Sequence, residues 1–119
     1  MNKSDKNIQR LLHNRNRGDL FSETRFAHLV ESFGAIGKDP NGGVTRLAFS
    51  SEDVLARNRI IELMQNEYHL DVRVDAWGNI FGRRNGTSNN LAVLLTGSHI
   101  DSVRNGGKFD GPAGIYCCL

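Results

Sequence analysis

The sequence predicts an α/β fold, and three observations carry that prediction. Apolar residues recur at helical spacing over about 23–34 and again over about 51–68. They alternate with charged residues over 72–76, the period of a strand with one buried face. They then run without a break through Leu91-Ala92-Val93-Leu94-Leu95, the pattern of a strand buried on both faces.

The elements follow in order. Ile8, Leu11 and Leu12 stand at helical spacing among charges and predict a short helix over 5–17. Phe26, Leu29, Val30 and Phe33 fall on one face of a second helix, with Ser22 as its N-cap and Gly34 as its C-cap. Gly37, Pro40, Gly42 and Gly43 mark 37–50 as loop. Ser50 or Ser51 caps the third helix, and Glu52 and Asp53 in its first turn suit the helix dipole. Its stripe is Val54, Ile61, Met64 and Tyr68, widened by Leu55, Ile60 and Leu63. Val72, Val74 and Ala76 form a strand, and a turn at Trp77-Gly78 leads to a second short strand over 79–83. A polar loop over 85–90 precedes the apolar run.

Composition narrows the function classes. At 119 residues the chain is one small domain at most. Fifteen basic residues against thirteen acidic ones give a net charge of +2, which does not suggest nucleic-acid binding. No apolar run approaches the ~18–20 residues of a membrane span. Lys3, Lys6, Arg10, Arg15 and Arg17 have no apolar stretch behind them, so no secretory leader is expected. Cys117 and Cys118 are adjacent, which fits neither a disulfide framework nor a zinc ribbon and favours the reducing cytoplasm.

The chemistry concentrates in 97–114, directly after the apolar run. Ligands of open α/β sheets bind beyond the carboxyl ends of strands, so His99, Asp101 and Asp110 stand where an active site is expected. Imidazole and carboxylate are zinc ligands, and a second carboxylate near a histidine can fix its tautomer. A phosphate-binding loop ending at Lys108 fails, because Ser102 replaces its glycine and Phe109 its hydroxyl residue. The residues alone leave the metal reading open. Two potential ligands do not make a metal site, and Asp110-Gly111 is equally a common turn pair.

The stretch Gly97-Ser98-His99-Ile100-Asp101-Ser102-Val103-Arg104-Asn105-Gly106-Gly107-Lys108-Phe109-Asp110-Gly111-Pro112-Ala113-Gly114 resembles the first metal-binding motif of the M20-type metallopeptidases and amidohydrolases. Its particular form is similar to the hydantoinase/carbamoylase branch. That branch holds N-carbamoyl-L-amino-acid hydrolases, allantoate amidohydrolases and β-ureidopropionases. Two further blocks agree, Gly43 to Ser50 and Asp71 to Arg83, and the likeness runs from about residue 18 to the end. The resemblance implies a mixed-sheet, metallopeptidase-like catalytic domain, of which 18–119 is the N-terminal part and 1–17 a helical extension. It implies two divalent ions, zinc by default and manganese, cobalt or nickel as alternatives. His99 would bind one ion, Asp110 would bridge both, and Asp101 would orient His99. The implied reaction is hydrolysis of a linear ureido or amide C–N bond by a homodimeric parent, on a small-molecule ureido substrate.

The family pattern also needs a Glu-Glu pair and two later histidines. The chain has no Glu-Glu dipeptide, and His13, His28 and His69 all precede the motif. Pro112 and Gly114 open a helix just before the sequence stops. The expectation is the N-terminal piece of a longer enzyme, inactive alone. A non-catalytic short product and a dipeptide-cleaving M20 peptidase are the competing readings. The remaining candidates read as structural. His28 belongs to a helix surface, His69 to a helix cap, Trp77 to packing at a turn, and Cys117-Cys118 to the buried side of a helix in the complete fold.

Overall fold

A computed structural model describes residues 22–88 and 91–119. The helix expected over 5–17 lies outside them. The elements run α1 (Glu23–Gly34), α2 (Ser51–Asn66), β1 (Asp71–Val74), β2 (Ile80–Arg83) and α3 (Pro112–Cys118). The α/β class holds.

α1 begins where Ser22, in extended backbone, accepts the Arg25 N–H on its hydroxyl at 3.2 Å. The helix buries Leu29, Val30 and Phe33. Its close differs from the sequence expectation. Gly34 is the last helical residue, and Ala35 caps the helix in right-handed backbone, its N–H bonded to Glu31 O at 3.0 Å. The left-handed glycine comes later, at Gly37.

α2 is capped by Ser50, whose hydroxyl accepts the Asp53 N–H at 3.2 Å. Asp53 reaches back to accept the Phe49 N–H at 3.0 Å. Two N–H groups that the first turn cannot satisfy are thereby paired. S50A is expected to cost about 1 kcal/mol, read as a lowered urea midpoint with faster amide exchange at Asp53. Unchanged exchange there would show the cap to be dispensable.

The buried face of α2 is Asp53, Ala56, Ile60 and Leu63, not the stripe through Val54. Val54 and Leu55 are about half exposed. The face rotated because Asp53 turns inward as a cap acceptor for the Phe49 N–H. Leu70 N–H bonds back to Met64 O at 2.9 Å, with His69 in left-handed backbone at φ 53°. His69 therefore closes the helix, as its position suggested.

β1 and β2 pair antiparallel, with Asp71 opposite Arg83 and Val74 opposite Ile80. Asp75 shapes the turn by accepting the N–H groups of Trp77 and Asn79 at 3.0 and 2.8 Å. These donors, the Asn79 side chain foremost, hold its carboxyl below the usual value. Gly78 supplies the φ of 84° that completes the turn. Trp77 is 87% exposed and packs on nothing large, because the turn projects it outward; this corrects the packing role expected for it.

The apolar run over 91–95 is a second correction. It is neither strand nor buried. Leu91, Val93, Leu94 and Leu95 are 70–93% exposed. A buried strand needs hydrogen-bonded neighbours and facing layers, and the described residues place only the β1–β2 pair in a sheet.

The core joins α1, α2 and α3 to the motif loop. Leu29, Val30, Phe33, Ala56, Ile60, Leu63, Ile100 and Tyr116 form one cluster. Tyr116 of α3 lies 5.4 Å from the Phe33 ring and edge-on to Phe26 at 6.2 Å. Such ring pairs add about 0.5–1.5 kcal/mol to plain burial. Cys117 and Cys118, on the other side of α3, are free thiols exposed in this chain; the burial expected for them belongs to the complete fold.

Candidate active site

The loop that carries His99 and Asp101 is held from one side by the segment 43–46. Val44 and Gly106 exchange backbone hydrogen bonds at 2.9 and 2.8 Å. Ser102 N–H bonds Arg46 O at 2.8 Å, and the Ser102 hydroxyl donates to Val44 O at 2.9 Å while accepting the Arg46 N–H at 2.9 Å. Asn105 N–H bonds the Thr45 hydroxyl at 2.8 Å, and Gly43 N–H bonds the Asn105 side-chain oxygen at 3.0 Å. Two blocks more than fifty residues apart thus behave as one folded unit.

Ile100 fixes which way the site faces. Successive side chains of extended backbone point to opposite sides. Ile100 is buried in the core, so His99 and Asp101 turn outward, with side chains 53% and 45% exposed.

The pair is already engaged. His99 Nδ1 lies 3.1 Å from the Asp101 carbonyl oxygen and 3.3 Å from its carboxylate Oδ1. Both partners are acceptors, so Nδ1 carries the proton. In the neutral ring Nε2 then holds the lone pair. This is the tautomer that a metal ligand needs.

Gly111 closes the site. At φ 82°, a Cβ there would stand 2.6 Å from His99 Nδ1 and 2.6 Å from His99 O. Only glycine lets the backbone lie this close to the imidazole. Asp110, one residue earlier, is exposed. Pro112 at the start of α3 and a close approach of Gly114 to Ser98 complete the contact between helix and loop.

Of the three residues singled out by the sequence, the structure pairs His99 with Asp101; Asp110 adjoins Gly111, whose backbone lies against the His99 ring, and makes no three-membered group with them. The His99–Asp101 pair supplies part of what a metal site needs: an imidazole nitrogen in the right tautomer and a carboxylate behind it. Among the described residues no group of three His, Cys, Asp or Glu side chains could hold a metal ion on its own. Further donors would have to come from elsewhere. His28 lies exposed on α1 and His69 exposed just past the end of α2.

Sequence reasoning gave no role to Arg46. It is 1% exposed, yet no carboxylate pairs with it. Its Nε donates to Ile100 O at 2.8 Å, and its Nη1 donates to Phe33 O at 2.8 Å and Ile36 O at 2.9 Å. Burial pulls its pKa down, and the nearby carboxylates of Asp53 and Asp101 favour the charged form. Burial likewise pushes the Tyr116 hydroxyl up. The signal for Arg46 was a lone arginine in the Val44-Thr45-Arg46-Leu47-Ala48 stretch of a glycine-rich loop.

No family model matches the chain. It is 50% identical over 93 residues to the N-carbamoyl-L-amino acid amidohydrolase of Geobacillus stearothermophilus, a match covering 78% of this chain and 22% of that protein. It is 39% identical over 90 residues to the allantoate amidohydrolase of Bacillus subtilis, covering 76% of this chain and 22% of the relative. Among solved structures, it superposes with a TM-score of 0.74 and 39% identity on a hydantoinase/carbamoylase family amidase of Burkholderia multivorans, covering 78% of this chain and 22% of that one. The chain therefore spans about a fifth of the length of the curated relatives it matches.

Proposed function

The chain belongs to the hydantoinase/carbamoylase family of amidohydrolases, and from that premise we propose that the protein carrying it hydrolyses the linear C–N bond of N-carbamoyl-L-amino acids. The observation that carries the substrate class is the 50% identity to an N-carbamoyl-L-amino acid amidohydrolase, against 39% to an allantoate amidohydrolase. Allantoate is the second reading, favoured by the same fold and motif at lower identity.

In this proposal His99 and Asp110 hold divalent metal, two ions in the complete site, with zinc the default for imidazole and carboxylate donors. When bound, such ions supply Lewis acidity toward the ureido carbonyl and activation of water near neutral pH. The residues of this chain prepare the site. His99 keeps its proton on Nδ1, where the Asp101 carbonyl and carboxylate accept it. Nε2 is left as the donor atom, and the carboxylate holds the ring's orientation. Gly111 keeps the imbedding backbone tight against the ring without a side chain.

Among the described residues no helix is long and apolar enough to cross a membrane. The free, adjacent cysteines support a reducing compartment such as the cytoplasm.

The test is a substrate panel on the full-length protein: N-carbamoyl-L-amino acids, allantoate and dipeptides, each with and without chelator. The expected result is a kcat/KM at least about tenfold higher for N-carbamoyl substrates than for allantoate, a difference of about 1.4 kcal/mol. Chelation should remove the activity, and zinc or manganese should restore it. Turnover of dipeptides alone, or activity indifferent to chelation, would reject the reading.

A further inference from the structure

A buried arginine without a carboxylate needs a reason. Such a charge is costly to desolvate unless every donor it can use is directed at an acceptor. Arg46 directs its donors at three carbonyls: Phe33 and Ile36 at the end of α1, and Ile100 in the motif loop. Phe33 stands in the last turn of α1, its carbonyl also taking the Ile36 N–H at 3.2 Å, and Ile36 lies in the turn just past the helix; a cation is favoured at such a C-terminal end. The third belongs to the residue between His99 and Asp101. One rigid planar group therefore ties the core helix to the backbone that separates the two outward-facing residues of the site.

We infer that Arg46 is a positioning residue of the active site, with the segment Val44–Arg46 as its platform. The inference rests on the proposed metal-hydrolase reading for its functional consequence, but not for its geometry. The guanidinium fixes the Ile100 carbonyl, and Ser102 fixes the next turn of the loop through Val44 O and Arg46 N–H. With Ile100 seated in the core and its carbonyl held, His99 and Asp101 have little freedom to separate. A lysine has the charge but not the planar fork that can bridge carbonyls from two segments. Arg46 touches neither His99 nor substrate; it acts through the backbone.

The test uses R46K in the full-length protein. Expected are a folded protein and a kcat lowered at least about tenfold with KM within about twofold. The zinc Kd, from chelator competition, should rise by about 10–100-fold, the cost usual for losing support behind a metal ligand. A metal-free crystal structure should show His99 Nδ1 out of hydrogen-bond reach of Asp101. A folded R46K whose His99–Asp101 pair is intact and whose zinc Kd is unchanged would overturn the inference. So would a loss of activity matched one for one by loss of folded protein. If R46K does not fold, S102A carries the test. It removes only the hydroxyl ties to the platform and should move zinc Kd and kcat in the same direction, and unchanged values would overturn the inference. If the wild type itself binds no zinc and cleaves no ureido bond, the functional reading fails. The His99–Asp101 geometry in the variant still decides the positioning role.

Discussion

Replacing His99 with alanine in the full-length protein is expected to abolish turnover of N-carbamoyl substrates and to lower bound metal. Of the three site residues, His99 alone offers an imidazole nitrogen, and its ring is already oriented by Asp101 at 3.1 and 3.3 Å. Loss of an outer partner of a metal ligand usually costs 10–100-fold, so loss of the ligand itself should exceed about 100-fold. D101N sharpens the assignment. Its backbone carbonyl still accepts the Nδ1 proton, so it should fall within that 10–100-fold range and keep most of the metal. Metal analysis and steady-state kinetics on both variants check the order. An H99A protein with wild-type metal content and turnover would remove His99 from the site.

The second large effect is expected at Gly111, through packing rather than coordination. Alanine there suffers twice. Its φ of 82° is costly for a residue with a Cβ, about 1–2 kcal/mol. The new methyl would also stand 2.6 Å from His99 Nδ1, closer than real contacts allow. Either the ring leaves Asp101 or the Gly111 backbone moves, and the neighbouring Asp110 with it. G111A should therefore lower the melting temperature by several degrees and weaken zinc binding at least tenfold. G107A is the control, because a Cβ there meets nothing within 4 Å; its stability should change by less than about 0.5 kcal/mol. Equal behaviour of G111A and G107A would show that the close approach at Gly111 is immaterial.

Much of the local structure was legible in the sequence because it depends on neighbours in the chain. Ser22 and Ser50 cap helices with hydroxyls three residues from the N–H groups they accept. Asp75 and Gly78 make a turn within five residues. Pro112 opens α3 because its ring suits a first helical turn. His99, Asp101 and Asp110 were recognisable from their place in a motif, and a resemblance could name the family that the comparisons then showed.

Four outcomes were not legible in the periodicity of the sequence. Asp53 is polar and faces inward because it accepts the Phe49 N–H, which rotates the buried face of α2 away from Val54 and Leu55. Trp77 is exposed because the turn that holds it points away from the core. The run 91–95 has strand composition, but composition cannot supply hydrogen-bonded neighbours, and it lies exposed. Arg46 reads as a surface charge until its three carbonyl partners are assembled, the one in the motif loop fifty-four residues away. The sequence by itself determined the helices, the turn, the motif and the family, since each is encoded in short-range spacing. Tertiary structure alone decided how Arg46 and Ser102 tie the 43–46 segment to the motif loop and how closely Gly111 approaches His99, because these depend on hydrogen bonds between residues more than fifty positions apart and on space that no local pattern specifies.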